Sequence, residues 1–388
     1  MTQTDTQTAT ATGAGAGTAY VETAGTGGTG GTGETGPAVD TRTPETEGAG
    51  AGAGTGAGKA FFGFRPGPAW KRGPLLTAAA LLLGLLLLLH ARVPNSVGDI
   101  GSLLETFLPW LGLLVPVLLA GALWRRSAAA AVALVLPATV WLSLFGGLLV
   151  DKSRSGSDIT VVSHNVGADN PDPAGTARAL AASGADVLAL EEITPQARGA
   201  YEKALAKAYP HHTVQGTVGL WSKLPLSGTR PVDTKMDYGP LADSKPAGTT
   251  STYVRALRTT VATGHGPLAV YVAHLGSVRV NPRSGFETGS RNRNAQALAE
   301  AVAAEPSERM VLLGDLNGTT NDRALTGLTS RLRSAHDAAG NGFGFTWPAR
   351  FPVARIDQIL VRGVEPRSAW SLPATGSDHL PVAAGISW

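Results

Sequence analysis

Residues 310–317 read MVLLGDLN, an apolar run that stops at a glycine, an acid and an amide. A short Val/Leu-rich run bounded this way reads as a buried strand that delivers polar groups at its end. Five further motifs repeat the arrangement: SHN at 163–165, LEE at 190–192, AHL at 273–275, RIDQIL at 355–360 and SDH at 377–379. Each ends or follows a β-like run, so side chains able to bind metal and handle protons are expected to converge at one rim of a sheet.

Around these motifs strands and helices alternate. Strands are expected over 159–165, 187–193, 218–222, 253–262, 268–274, 310–315, 356–361 and 382–388, and helices over 174–183, 195–209, 293–304 and 323–334. Thr194 can cap the second helix, and Pro195 suits its first turn, where a missing N–H costs nothing. The runs 253–262 and 268–274, joined through 264–267, read as an antiparallel hairpin, so the sheets are mixed. The fold class is α/β, two sheets covered by helices.

Composition divides the 388 residues into three regions. Residues 1–60 are Gly, Ala, Thr and Glu with few large apolar side chains, and are expected to form a disordered tail. Residues 61–150 contain three apolar stretches, 74–91, 107–124 and 128–150, each of a length to cross a membrane as a helix. Pro109, Pro116 and Pro137 can kink such helices without excluding them. With no ionisable pair inside them, their expected role is anchoring rather than transport. Lys59, Arg65, Lys71 and Arg72 precede the first stretch, and Arg125 and Arg126 separate the second from the third. Both basic segments belong in the cytoplasm. The loop with Arg92, Asp99 and Glu105 suits the outside, and three crossings put everything after Val150 on the extracytoplasmic side. The third region, 158–388, is the expected catalytic domain, reached through the polar linker 151–157.

Cysteine is absent, which excludes disulfides, thiolate zinc sites and cysteine nucleophiles. The net charge is +3 overall, and residues 151–388 carry 24 Lys/Arg against 21 Asp/Glu, too weak a bias to argue for nucleic acid.

The order Asn165, Glu192, His274, GDLN, RIDQIL and SDH resembles the endonuclease/exonuclease/phosphatase superfamily across 158–388. The resemblance implies a four-layer α/β sandwich and magnesium-dependent cleavage of a phosphoester, with Mn2+ as a possible replacement ion. Phosphoryl chemistry needs groups that neutralise oxygens, position a water and take its proton. Glu192 is a hard oxygen ligand suited to Mg2+. His379 with Asp357 forms a candidate dyad in which the carboxylate fixes the imidazole tautomer. Asp315 is expected to orient or deprotonate the attacking water, and Asn165 and Asn317 to supply amide donors to nucleophile and phosphate. The resemblance further assigns His274 to a non-bridging oxygen and Asp378 to the metal side. Glu191, where the family usually has Gln, is read as supporting structure.

Gly167 occupies a position where nuclease members often place an acid, so one principal metal is expected, with Asp169 uncommitted. His211 and His212 are expected at the surface, and His164 on the strand face opposite Asn165. Arg279, Arg283, Arg291 and Arg293 form a candidate grip for phosphates or lipid head groups, without the aromatic interleaving of a single-strand groove. Tethering favours a lipid-linked phosphate at the outer leaflet, with membrane lipids as neighbours. Three apolar stretches before this domain resemble VanJ-type proteins linked to resistance to teicoplanin-like glycopeptides, which implies undecaprenyl pyrophosphate or a related lipid. The competing expectations are a surface-tethered nuclease acting on DNA and a non-catalytic, membrane-anchored binding module.

Overall fold

The computed structural model describes residues 67–235, 254–281, 283 and 285–388. The expected tail, with Lys59 and Arg65, lies outside the described residues.

Fourteen strands occur among the described residues. The first seven are β1 (Ile159–Asn165), β2 (Val187–Glu191), β3 (His211–Gln215), β4 (Val218–Ser222), β5 (Leu226–Pro231), β6 (Ala256–Thr263) and β7 (Gly266–Ala273). The rest are β8 (Arg279–Asn281), β9 (Gly285–Glu287), β10 (Met310–Asp315), β11 (Arg333–Ser334), β12 (Asp357–Arg362), β13 (Glu365–Ser371) and β14 (Val382–Ser387). One sheet has the order β13-β14-β1-β2-β4-β3, the other β11-β12-β10-β7-β6-β5, and β8-β9 is a separate hairpin. Each large sheet has a parallel pair at its centre, β1/β2 and β7/β10, flanked by antiparallel partners.

Strand alternation sorts side chains into layers. Val161, Val187 and Leu220 of the first sheet meet Val270, Val311 and Leu313 of the second in a shared core. Their neighbours point outward: Val162, Leu188 and Leu190 pack on helices Pro173–Ala182 and Pro195–Leu205, and Tyr271 and Leu312 on helix Gly289–Ala303. The result is helix, sheet, sheet, helix. Asp172 and Thr194 cap the first two helices, each followed by a proline. The expected helix over 323–334 is broken into the turns Arg323–Leu325 and Thr326–Thr329 and strand β11, where Gly327 and the Thr/Ser residues lower helix propensity.

The expectation of three membrane-spanning helices is not upheld. Among the described residues one helical segment, Ala128–Leu149, is by itself long and apolar enough to cross a bilayer. Pro74–Leu88 has 15 residues, about 22 Å of helix against the roughly 30 Å required. The second stretch is one limb of a pair, Ile100–Thr106 and Leu108–Trp124, bent by 70°. Pro109 just after the bend removes a backbone donor there. Leu75, Leu82, Val117, Leu123, Trp124 and Val135 are nonetheless exposed, a broad apolar surface on these helices.

Candidate active site

A parallel strand ends, and its antiparallel neighbour begins, on the same edge of a sheet. The ends of β1, β2, β7 and β10 therefore share a rim with the starts of β12 and β14, and Asn165, Glu192, His274, Asp315, Asp357 and His379 all lie along it. Gly314 (φ 151) permits the central close approach, because a Cβ there would strike the carbonyl of Ala273.

Asp315 is the hub. Its Oδ2 accepts from Asn165 Nδ2 at 3.0 Å and Asn317 Nδ2 at 3.2 Å, and its Oδ1 from the Asn317 N–H at 2.9 Å. The two amides thus hold this carboxylate instead of standing free, and Oδ1 retains a lone pair for a further donor. His379 Nδ1 lies 3.0 Å from Asp357 Oδ2, and its Nε2 lies 3.8 Å from Asp315. His274 Nε2 lies 3.4 Å from Glu192 Oε1 and 3.7 Å from Asp315. The structure thereby brings Asp357 against His379 and gathers Asn165, His274, Asn317 and His379 around Asp315.

Burial acts first on each charge. It would lower His379, but Asp357, then Asp315 and Asp378, raise it to about 10, which favours the protonated ring near neutrality. Burial raises Asp315, assisted by Asp357 and opposed by His379 and the amides. Burial, then Arg255 and His379, push His274 well below its usual range, leaving it neutral. Burial likewise raises Glu191 well above its usual range, favouring the neutral acid, and Glu191 accepts from Ser163 Oγ at 2.9 Å.

Glu192 has φ 61, and its Oε2 accepts from the Ala168 N–H at 3.0 Å. Asp378 is exposed and accepts from Trp347 Nε1 at 3.2 Å. Both line a cavity of about 380 Å³ with Asp315, Asn317 and His379. Four carboxylates (Glu192, Asp315, Asp357 and Asp378) meet two cationic groups, Arg255 and His379, an excess of hard anionic oxygen that fits a divalent cation. Asp315, Asp357 and His379 also have donor atoms within 4.8 Å of one another. Since His379 and Asp357 are bonded to each other, Glu192 is the candidate in the cavity left to hold an ion. Asp169 is an exposed turn residue.

Several supporting residues were not singled out from sequence. Arg255 lies against both ring nitrogens of His274. The hairpin register was the available signal, since Ala256 pairs with Ala273. Ser377 Oγ donates to the Asn165 carbonyl at 2.7 Å and accepts from the His379 N–H at 3.1 Å, joining the SDH and SHN motifs. Arg291 corrects its proposed place in a phosphate grip: it is buried, paired with Asp322 at 2.8 Å, and donates to the Asn317 carbonyl. Arg279 and Arg283 remain exposed around the β8–β9 hairpin. His211 and His212 lie in edge strand β3, His212 stacked on Trp221, and buried His164 turns away from Asn165 to Thr375.

Residues 162–379, more than half the chain, match the Endonuclease/Exonuclease/phosphatase family. The chain belongs to that family. Members of the endonuclease/exonuclease/phosphatase family are hydrolases acting on phosphoesters. Solved structures with a similar fold include an endonuclease/exonuclease/phosphatase from Bacteroides vulgatus, at 18% identity over 60% of this chain and 99% of that one, TM-score 0.47. D. rerio TDP2 complexed with single strand DNA product is similar at 18% identity over 59% and 99%, TM-score 0.47. A mutant beta toxin from Staphylococcus aureus with bound magnesium ions is similar at 17% identity over 59% and 99%, TM-score 0.41. No curated protein matches the chain.

Proposed function

We propose that the protein is a membrane-anchored, metal-dependent phosphoesterase that hydrolyses a lipid-linked phosphate, such as undecaprenyl pyrophosphate, on the extracytoplasmic side. The observation that carries this reading is the composition of one cavity: Glu192, Asp315, Asn317, Asp378 and His379 share it with Phe107, Val278, Val280, Phe286, Trp347 and Ile356. A charged catalytic end and an apolar wall suit a substrate with a phosphate head and a hydrocarbon tail.

Topology has its own support. The Ser127 hydroxyl donates to the Arg72 carbonyl, so Lys71, Arg72, Arg125 and Arg126 gather at one end of the apolar helices. The intervening segment contacts the catalytic domain, as when Arg323 donates to the carbonyls of Val93 and His90. Basic residues favour the cytoplasmic face, which leaves the catalytic domain outside.

In the proposed reaction Asp315, held by Asn165 and Asn317, orients a water and takes its proton as oxygen attacks phosphorus. The phosphorus bond to the leaving oxygen breaks in line. Protonated His379, fixed by Asp357, and neutral His274 face the oxygens that gain charge. Mg2+ or Mn2+ held by Glu192, with Asp378 on the same side, would supply Lewis-acid neutralisation of phosphoryl oxygens.

The test is phosphate release by detergent-solubilised full-length protein with Mg2+ and undecaprenyl pyrophosphate, beside plasmid nicking. Magnesium-dependent release that disappears in His379→Ala is the expected result. Nicking without release would replace this reading with a tethered nuclease.

A further inference from the structure

The apolar helices are expected to act as a passive anchor, yet their bend forms part of the catalytic cavity. Thr106 and Phe107 sit at the 70° break between Ile100–Thr106 and Leu108–Trp124, and both line the cleft that holds Glu192, Asp315 and His379. The segment is fixed against the catalytic domain on both sides of that break. Before it, Glu105 is fully buried and receives Arg323 Nε at 3.0 Å and Nη2 at 2.9 Å. Asp99 accepts from the Thr288 N–H at 2.9 Å and hydroxyl at 2.8 Å. After it, Trp110 Nε1 donates to the Val353 carbonyl at 2.8 Å and its ring stacks on Phe345.

The same segment also holds the opposite apolar wall. The Phe286 N–H donates to the Gly98 carbonyl at 2.9 Å, and Gly285 (φ 87) allows this contact because a Cβ there would strike Gly98. Hairpin β8–β9, which carries Val280 and Phe286 into the cavity, is therefore seated on the loop ahead of the bend.

From this arrangement we infer that the bent helical segment is a specificity element of the active site: Phe107, together with Phe286 and Val280, receives the hydrocarbon chain of an amphiphilic phosphoester whose phosphate sits at Asp315 and His379. The inference rests on the phosphoesterase reading above and adds to it which residues measure the chain. The occupant is the substrate's own tail, because the apolar wall is continuous with the catalytic carboxylates in one cavity, and Phe107 in that wall directly precedes the apolar helix Leu108–Trp124.

The experiment compares farnesyl pyrophosphate with dimethylallyl pyrophosphate, which share a head group and differ in chain length, using the full-length protein in detergent with Mg2+. Wild type is expected to prefer the longer chain in kcat/KM. Phe107→Ala lowers that preference at least about tenfold, roughly 1.4 kcal/mol of lost apolar contact, chiefly through KM for the longer substrate. Phe107→Leu restores most of it. Val280, 78% exposed on its hairpin, gives a variant that folding does not depend on, and Val280→Ser lowers the preference in the same direction. Trp124→Ala, at the other end of the helix and 86% exposed, leaves the preference unchanged. Active Phe107→Ala and Val280→Ser enzymes with the wild-type preference would overturn the inference and leave the phosphoesterase reading intact. Wild-type protein that releases phosphate from neither substrate nor undecaprenyl pyrophosphate would overturn that reading, and the inference with it.

Discussion

Arg323→Ala is the sharpest test of whether the apolar helices are docked or merely attached. The wild-type Glu105 carboxylate is wholly buried and accepts from the Arg323 side chain and from the residue-323 backbone N–H at 3.1 Å. Removing the guanidinium leaves that backbone donor alone beside a buried charge. Breaking a buried pair from one side costs about 3–5 kcal/mol. The Arg323 side chain is 30% exposed, so water enters the gap and the lower figure, about 3 kcal/mol, is appropriate. That raises the undocked population roughly a hundredfold. Amide hydrogen exchange of full-length protein in detergent reads it directly, as faster exchange over residues 99–107 and at Phe286 and Thr288. Replacing both partners, Glu105→Leu with Arg323→Leu, should recover most of the protection, because an apolar pair carries no uncompensated charge. Less than threefold acceleration in Arg323→Ala, or a double variant as exposed as the sum of the singles, would refute the clamp.

Asp357→Asn keeps the shape of the dyad but removes the charge that holds His379 protonated, so kcat should drop about 10²–10⁴-fold in the phosphate-release assay with folding intact. Glu192→Gln should raise the Mg2+ concentration needed for half-maximal activity at least about tenfold, whereas Asp378→Asn, exposed and bonded to Trp347, should raise it less; magnesium titration separates them. Acid should destabilise the fold through His164 and His336, lowered by burial to about 3 and about 4 from 6.5. Both are neutral in the folded chain, so their stability contribution is complete above pH 6.5 and falls as pH drops toward 4, by up to about 1.4 kcal/mol per pH unit for each ring. Denaturant unfolding between pH 7 and 4.5 measures that slope, and His336→Gln should flatten it.

The central strands were legible because they are buried on both faces. The runs over 159–165, 218–222 and 310–315 coincide with β1, β4 and β10, and the motifs at strand ends foretold the rim. Strands β3, β5, β11 and β13 were not legible. They are the sheet edges, and sequences such as LSGTRP and EPRSAWS carry the polar residues and prolines that edges tolerate. The apolar stretches were legible as composition but not as geometry. Hydropathy over 107–124 does not reveal the 70° bend, nor that Glu105 just before it would be buried against Arg323, 218 residues later. Arg291 misled for the converse reason: a charged residue in a loop-like context reads as exposed, and only the fold brings Asp322 to it.

The pair Glu191–Glu192 shows how one strand end serves two purposes. Along β2, Val187 and Ala189 face the inter-sheet core while Leu188 and Leu190 face the helices, so Glu191 falls on the core side, where Ser163 meets it. Continued alternation would send Glu192 to the helix side, away from the catalytic rim. It does not go there, because Glu192 takes a left-handed backbone conformation, φ 61, that ends the strand and turns its carboxylate toward Ala168 and His274. Such a conformation costs a non-glycine residue on the order of 1–3 kcal/mol. Glycine would relieve the strain and lose the carboxylate, so a strained acid at this position is best accounted for by what the carboxylate does at the rim. The strain favours Glu192 over Glu191 as the ion's ligand: the buried acid can be neutral and structural, and the strained one is brought out to the cavity where a divalent cation and a phosphate would meet.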